Sequence, residues 1–131
     1  LFKINMKPFL FSFNHKNFSI LISSPELAAL ELLLYVPQTQ SFEEAIKIFD
    51  NLTTLRSGLV QTLLENCNSI KVKRLFLYLA EKSGHSWFND INVKFVNLGK
   101  GKRVIDTTGK LDKKYNITVP KTNTYDTKPI F

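Results

Sequence analysis

Ile70-Lys71-Val72-Lys73-Arg74-Leu75-Phe76-Leu77-Tyr78-Leu79-Ala80-Glu81-Lys82-Ser83-Gly84 is the most regular run in this 131-residue chain. Val72, Leu75, Phe76, Leu79 and Ala80 recur at i, i+3, i+4, i+7 and i+8, the spacing of one apolar stripe on an α-helix. The spacing predicts a helix over 70–82 with that stripe turned to the core. Gly84 is placed to cap its end. Lys71, Arg74 and Tyr78 recur on the other side, with Lys82 one turn further. Such a face is either simply solvated or a contact surface, since Arg and Lys grip phosphates and Tyr stacks on a base or on a partner's Arg.

Upstream, the same reasoning predicts three more helices. Ser24-Pro25-Glu26 is a helix start: a hydroxyl for an orphan amide, a Pro at the first helical position, and an acid at the positive end of the dipole. Leu27, Leu30 and Leu34, with Leu33 beside them, form its buried stripe, and Pro37 ends it. Ser41-Phe42-Glu43-Glu44 reads as a capping box in which Ser41 and Glu44 satisfy each other's backbone donors. Ala45, Ile48, Phe49 and Leu52 follow at helical spacing. A third helix is expected over 55–65 with Leu59, Val60 and Leu63 inward, Gly58 weakening its first turn by about 1 kcal/mol relative to Ala. Before these helices, Phe9, Phe11 and Phe13 alternate with Leu10 and Ser12, and Phe18, Ile20 and Ile22 share one face. The polar Asn14-His15-Lys16-Asn17 between the two runs makes them a β-hairpin. Residues 1–7 are expected to be a frayed entry or the end of a preceding domain, because Pro8 interrupts any element there.

Beyond Gly84 the period changes. His85-Ser86-Trp87-Phe88 reads as a short helical turn, Val93-Lys94-Phe95-Val96 as a strand, and Gly99-Lys100-Gly101-Lys102 as a flexible turn. Arg103-Val104-Ile105 is a second strand, Gly109 a turn, and Tyr115-Asn116-Ile117-Thr118-Val119 a third strand before Pro120. The fold class is α+β: an N-terminal β-hairpin, a four-helix middle, and C-terminal antiparallel strands sharing one small sheet. One domain is expected over 1–120, with an extended or frayed tail over 121–131.

Composition narrows the class. Eleven Phe, four Tyr and one Trp exclude disorder throughout, and a single Cys excludes an internal disulfide framework or a multi-thiolate zinc site. No apolar stretch reaches the roughly 18–20 residues of a membrane span. The chain opens Leu1-Phe2-Lys3, without an initiator methionine or a signal-peptide pattern, as expected of a piece of a longer cytoplasmic protein. Charge is unevenly placed. Residues 92–131 carry nine basic and three acidic side chains, which is +6 of the total +7. That skew fits either an acidic partner or a solubilising basic tail. Lys100, Lys102 and Arg103 at a hairpin tip, and Lys110, Lys113 and Lys114 beside Tyr115, join Lys71, Arg74 and Tyr78 as candidates for binding nucleic acid or a protein partner.

Catalysis finds little support. Cys67 follows a helix between two Asn residues and reads as a small buried hydrophobe. His15 lies in a hairpin turn, and His85 is expected to cap or pack beside Trp87. No carboxylates form a metal loop, so neither metal nor cofactor is expected. The turn at 99–103 lacks the spacing of a phosphate-binding loop and precedes a strand rather than a helix.

Four segments together resemble one family: Ile22-Ser23-Ser24-Pro25-Glu26-Leu27-Ala28, then Val72-Lys73-Arg74-Leu75-Phe76-Leu77 with Gly84-His85-Ser86-Trp87. The others are Leu98-Gly99-Lys100-Gly101-Lys102-Arg103-Val104 and Gly109-Lys110-Leu111-Asp112-Lys113-Lys114-Tyr115-Asn116-Ile117-Thr118-Val119-Pro120. In this order they resemble the C-terminal part of AbiEi-type antitoxins, transcriptional regulators of type IV toxin–antitoxin (abortive infection) systems. Asp106-Thr107-Thr108 departs from the family pattern in being more acidic and poorer in Gly. The resemblance implies a bacterial, non-catalytic antitoxin domain that counteracts a nucleotidyltransferase-like toxin. It implies promoter DNA bound mainly by a winged helix-turn-helix that would precede this chain, with RNA as a further nucleic-acid partner. The competing expectation is a structural or dimerisation module serving that DNA-binding domain. It would show an exposed apolar patch at Trp87-Phe88 or along Phe9, Phe11 and Phe13. Sequence alone leaves the oligomeric state open.

Overall fold

Each of the four α-helices among the described residues begins where its flanking residues allow one. The computed structural model describes residues 1–3, 5, 7–15, 18–121 and 125. Ser24 places its hydroxyl 3.3 Å from the Leu27 amide and starts α1 (Pro25–Leu34). Ser41 does the same for Glu44 at 3.1 Å and starts α2 (Phe42–Asp50). The capping box is only half made: the Glu44 carboxylate accepts from the Gln40 side-chain amide instead. Ser57–Asn66 form α3, and Ile70–Ser83 form α4, which Gly84 closes at φ +75°. Before them, β1 (Leu10–His15) and β2 (Phe18–Ser23) pair antiparallel, with Phe11 opposite Ile22 and His15 opposite Phe18. Asn14 and His15 therefore belong to the ladder rather than to the turn, and Lys16 and Asn17 lie outside the described residues.

Residues 72–80 of α4 are all buried, so it is the central helix and not an amphipathic surface one. α1 and α2 pack on it, and the C-terminal sheet covers it from elsewhere. Phe49, Phe76, Leu30, Leu33, Leu63, Leu64 and Leu75 are fully buried between these elements. Two expected stripes are rotated. Leu34 is 42% exposed, leaving Leu33 to the core, and Ile48 is 38% exposed while Ile46, two positions earlier, is buried. Trp87 is buried, Phe88 packs half-buried against the core, and Phe9 is buried. The apolar patch expected there is thus core; the Phe11 and Phe13 side chains lie outside the described residues.

The C-terminal strands do share one sheet, in the order β3 (Arg103–Val104), β5 (Ile117–Val119), β4 (Lys110–Asp112). It is mixed: β3 runs parallel to β5, and β4 antiparallel to it. The α+β class stands, and the purely antiparallel sheet is corrected. Val93–Phe95 forms a 3-10 turn instead of a strand, whereas Ser86–Asp90 before it is the short helical turn expected there. The reason is local. The Phe95 amide donates to the Asn92 carbonyl at 3.2 Å and the Val96 amide to the Val93 carbonyl at 3.0 Å, while the Gln61 side chain holds both backbone groups of Asn92, at 2.7 and 3.1 Å. Residues 1–3 do not fray. Phe2 bridges Cys67, and the Asn68 amide donates to the Leu1 carbonyl at 2.7 Å. The tail expected over 121–131 falls, apart from Lys121 and Tyr125, outside the described residues.

Glu26 does more than suit a helix dipole. Buried at the start of α1, it accepts from the Arg56 backbone amide at 2.8 Å and from its guanidinium at 3.0 Å, tying α1 to the start of α3. Burial opposes the charge, but these Arg56 bonds outweigh it and hold the carboxyl below its ordinary value of 4.5. A depressed folded-state value means stabilisation that is present above the unfolded value and is lost as pH falls. Urea midpoints are therefore expected to drop below pH 4.5 in the native chain, and to drop less steeply in Glu26→Gln. Parallel pH profiles for the two would contradict this.

Candidate functional site

The first turns of α4 decide how the basic residues are used. Ser69 caps the helix through the Val72 amide at 3.2 Å. Because the helix is enclosed, cations on it must direct their donors to fixed acceptors or remain unsatisfied. Arg74, only 3% exposed, donates from Nε to the Leu98 carbonyl at 2.9 Å and from Nη1 to the Asn116 carbonyl at 3.1 Å and to the Gly101 carbonyl. Lys73 donates to the Asn97 carbonyl at 2.8 Å. Lys71 donates to the Val36 and Leu34 carbonyls at 2.6 and 3.3 Å, at the negative end of α1. Burial lowers all three from their ordinary values, with Arg103 adding to the effect on Arg74.

Tyr78 is buried too. Its ring lies 6.3 Å from Phe42 and 6.4 Å from Tyr125, with the Lys82 ammonium 5.8 Å above it. The free basic-aromatic face expected on α4 is corrected. Lys71, Arg74 and Tyr78 hold neighbouring segments together, because this helix has partners on every side.

What Lys73 and Arg74 hold is the turn at 97–103. The Asn97 side chain accepts from the Gly99 amide at 2.9 Å, and Gly99 takes φ +68° against Ile70, where an added Cβ would sit 3.1 Å from that side chain. Only glycine fits both the left-handed backbone and the contact. Arg103 donates to the Lys100 carbonyl at 2.9 Å, closing the turn on itself. Lys100 and Lys102 point into solvent and Arg103 is half-buried. Among the described residues no carboxylate forms an ion pair with these three.

Lys110, Lys113 and Lys114 lie at the opposite edge of the sheet, since β5 separates β4 from β3, about 10 Å across two strand spacings. Lys110 and Lys113 are exposed, whereas Lys114 pairs with Glu81. Tyr115 is buried, and its hydroxyl donates to Glu81 at 3.2 Å. Burial first, and then the Glu81 charge, push its phenol far above the ordinary range. The structure thus keeps Lys100, Lys102 and Arg103 together, sets Lys110 and Lys113 apart from them, and neutralises Lys114.

Lys73 stands outside the sequence-based candidates although it grips the same turn. Its signal was adjacency to Arg74 on a helix where Leu77 is apolar outside the stripe from Val72 to Ala80. Cys67 is fully buried, and burial pushes its thiol up, as befits a packing residue. The His85 ring stacks on Trp87 at 6.0 Å and bonds the Phe49 carbonyl at 2.6 Å, as a packing residue should. Among the described residues, no three His, Cys, Asp or Glu side chains converge as metal ligands would.

A family model described as "Transcriptional regulator, AbiEi antitoxin, Type IV TA system" matches residues 4–120. The chain belongs to the AbiEi antitoxin family. The match takes in every helix and strand from β1 to β5 and agrees with the resemblance read from the four sequence segments. No curated protein and no solved structure shows significant similarity. The AbiEi family is one of transcriptional-regulator antitoxins of type IV toxin–antitoxin systems. No helix among its described residues is long and apolar enough to cross a membrane.

Proposed function

We propose that this chain is an antitoxin domain that counteracts a nucleotidyltransferase-like toxin in the cytoplasm without catalysing a reaction, and that its 100–103 turn meets an anionic partner, either nucleic-acid phosphate or an acidic protein face. Family membership supports the antitoxin role. The observation that carries the contact surface is the use made of Arg74. A buried guanidinium fixes the carbonyls around a turn whose Lys100 and Lys102 face outward and whose three cations have no acidic partner among the described residues. Fixing the turn in advance lowers the ordering cost of a contact made there. Lys110 and Lys113 extend the positive potential across the other sheet edge.

Co-expression with the cognate toxin tests this reading. The native chain is expected to restore growth, and the triple change Lys100→Ala, Lys102→Ala, Arg103→Ala to lose that rescue while keeping its urea midpoint. Undiminished rescue would clear the turn of any role. Binding to DNA and RNA over a salt series gives a second readout. Losing up to three phosphate contacts should flatten the log–log slope by about 2–3.

A second reading, a dimerisation module attached to a separate winged helix-turn-helix, is favoured by one feature. An apolar groove between α1 and α2 is lined by Pro25, Ala28, Leu32, Ile48 and Leu52, with Ile48 partly in solvent. Mass measured by sedimentation at rising concentration separates the two: a monomer throughout leaves the antitoxin reading alone.

A further inference from the structure

Phe95 is 68% exposed, more than any other large apolar residue among the described residues. An aromatic side chain left in water forfeits the transfer free energy that drives Phe into cores, so its position calls for a physical account. The residues around it are anchored. Ile91 and Val96 are buried on either side. The Gln61 side chain holds both backbone groups of Asn92, the Phe95 amide donates to the Asn92 carbonyl at 3.2 Å, and Lys73 holds the Asn97 carbonyl. The ring therefore stands on a backbone fixed at both ends.

The segment that carries it is cationic. Residues 91–105 contain Lys94, Lys100, Lys102 and Arg103 and no acidic residue. Phe95 precedes Asn97 by two positions, so their Cα atoms lie within about 7 Å. Lys73 and Arg74, adjacent on α4, bring Asn97, Leu98 and Gly101 to the same helical turn. An exposed aromatic on the margin of a fixed basic turn offers a face for stacking and cations for phosphate at once.

We propose that Phe95 is a base-stacking residue and that, with Lys100, Lys102 and Arg103, it binds an unpaired nucleic-acid strand. The inference rests on the reading that the 100–103 turn meets phosphates, and it adds the strand's state. Bases within a duplex have both faces covered by their neighbours, so a stacking ring selects unpaired segments. Its exposed neighbours in the chain, Asn92, Lys94 and Asn97, are polar or charged, whereas the energetic centre of a protein interface is depleted of charge.

Fluorescence anisotropy with labelled 12-nucleotide single strands of RNA and DNA, and with the duplex of the same sequence, tests the proposal. Phe95→Ala is expected to weaken single-strand binding about ten-fold or more and to leave the salt slope unchanged. Phe95→Tyr should restore the affinity, and Phe95→Leu, apolar but without a π-face, should not. Lys100→Ala with Lys102→Ala should instead weaken single strand and duplex together and flatten the slope. Equal affinity of the native chain and Phe95→Ala for single strands would overturn the stacking role while leaving the basic turn intact. Absence of any binding at low salt would overturn both readings. A Phe95→Ala chain that binds nucleic acid normally but fails to capture the toxin would assign the ring to a protein contact and also overturn the proposal.

Discussion

Replacing Arg74 with Met is expected to cost about 3 kcal/mol of stability, because three part-buried carbonyls lose a charged partner, each such loss costing up to about 1–3 kcal/mol, and water re-satisfies only some of them. The three are the Leu98, Gly101 and Asn116 carbonyls, and all are served by one guanidinium. For a chain of this length the melting temperature should fall by roughly 10 °C. Arg74→Lys should recover only part of the loss, since a single ammonium cannot present the planar fork that spans three acceptors. Urea denaturation measures the size, and hydrogen exchange of the Gly99 and Arg103 amides localises it to the turn. A variant as stable as the native chain would show that the clamp is dispensable. The same substitution ought also to reduce anion binding, although Arg74 itself touches no solvent-borne partner, because the turn it orders would become mobile.

Phe76→Ala should be costlier still, at about 3–5 kcal/mol. Phe76 is fully buried, meets Phe49 edge-on at 5.2 Å and lies 5.9 Å from Trp87. One ring thus joins α2, α4 and the turn after Gly84. Natural domains of this kind have only about 5–15 kcal/mol in hand, so the variant is expected to be partly unfolded on mild warming. Trp87 is the sole Trp, and its indole donates to the Leu52 carbonyl at 2.7 Å, so its fluorescence reports the loss directly. A cooperative transition at the native midpoint would contradict the assignment of Phe76 to the centre of the core. Phe76→Leu should be milder, as it leaves a smaller cavity.

The two variants act on different levels of one arrangement. Phe76 secures the helical layer, and Arg74, two residues earlier on α4, secures the turn that the layer displays. The candidate contact surface therefore depends on a side chain that contributes no exposed charge to it. Among the cations read from the sequence, exposure and pairing divide the roles: Lys100, Lys102, Lys110 and Lys113 face solvent, Lys114 pairs with Glu81, and Lys71 and Arg74 bind backbone carbonyls.

Local chemistry was legible where it is decided locally. Ser24-Pro25, Ser41 and Gly84 marked helix ends because a cap is satisfied by atoms three or four residues away. The spacing from Val72 to Ala80 marked the core stripe of α4 for the same reason, and the order of four short segments carried the family. The sequence could not say that Lys71, Arg74 and Tyr78 face inward, that 93–95 turns instead of extending, or that β3 runs parallel to β5 with Lys110 at the far edge. Each of these depends on partners outside the local window, such as Leu98 and Asn116 for Arg74, Gln61 for Asn92 and Ile117 for Arg103. A periodic pattern shows which side of a helix is apolar; only the packed neighbours determine whether its other side meets water or another part of the chain.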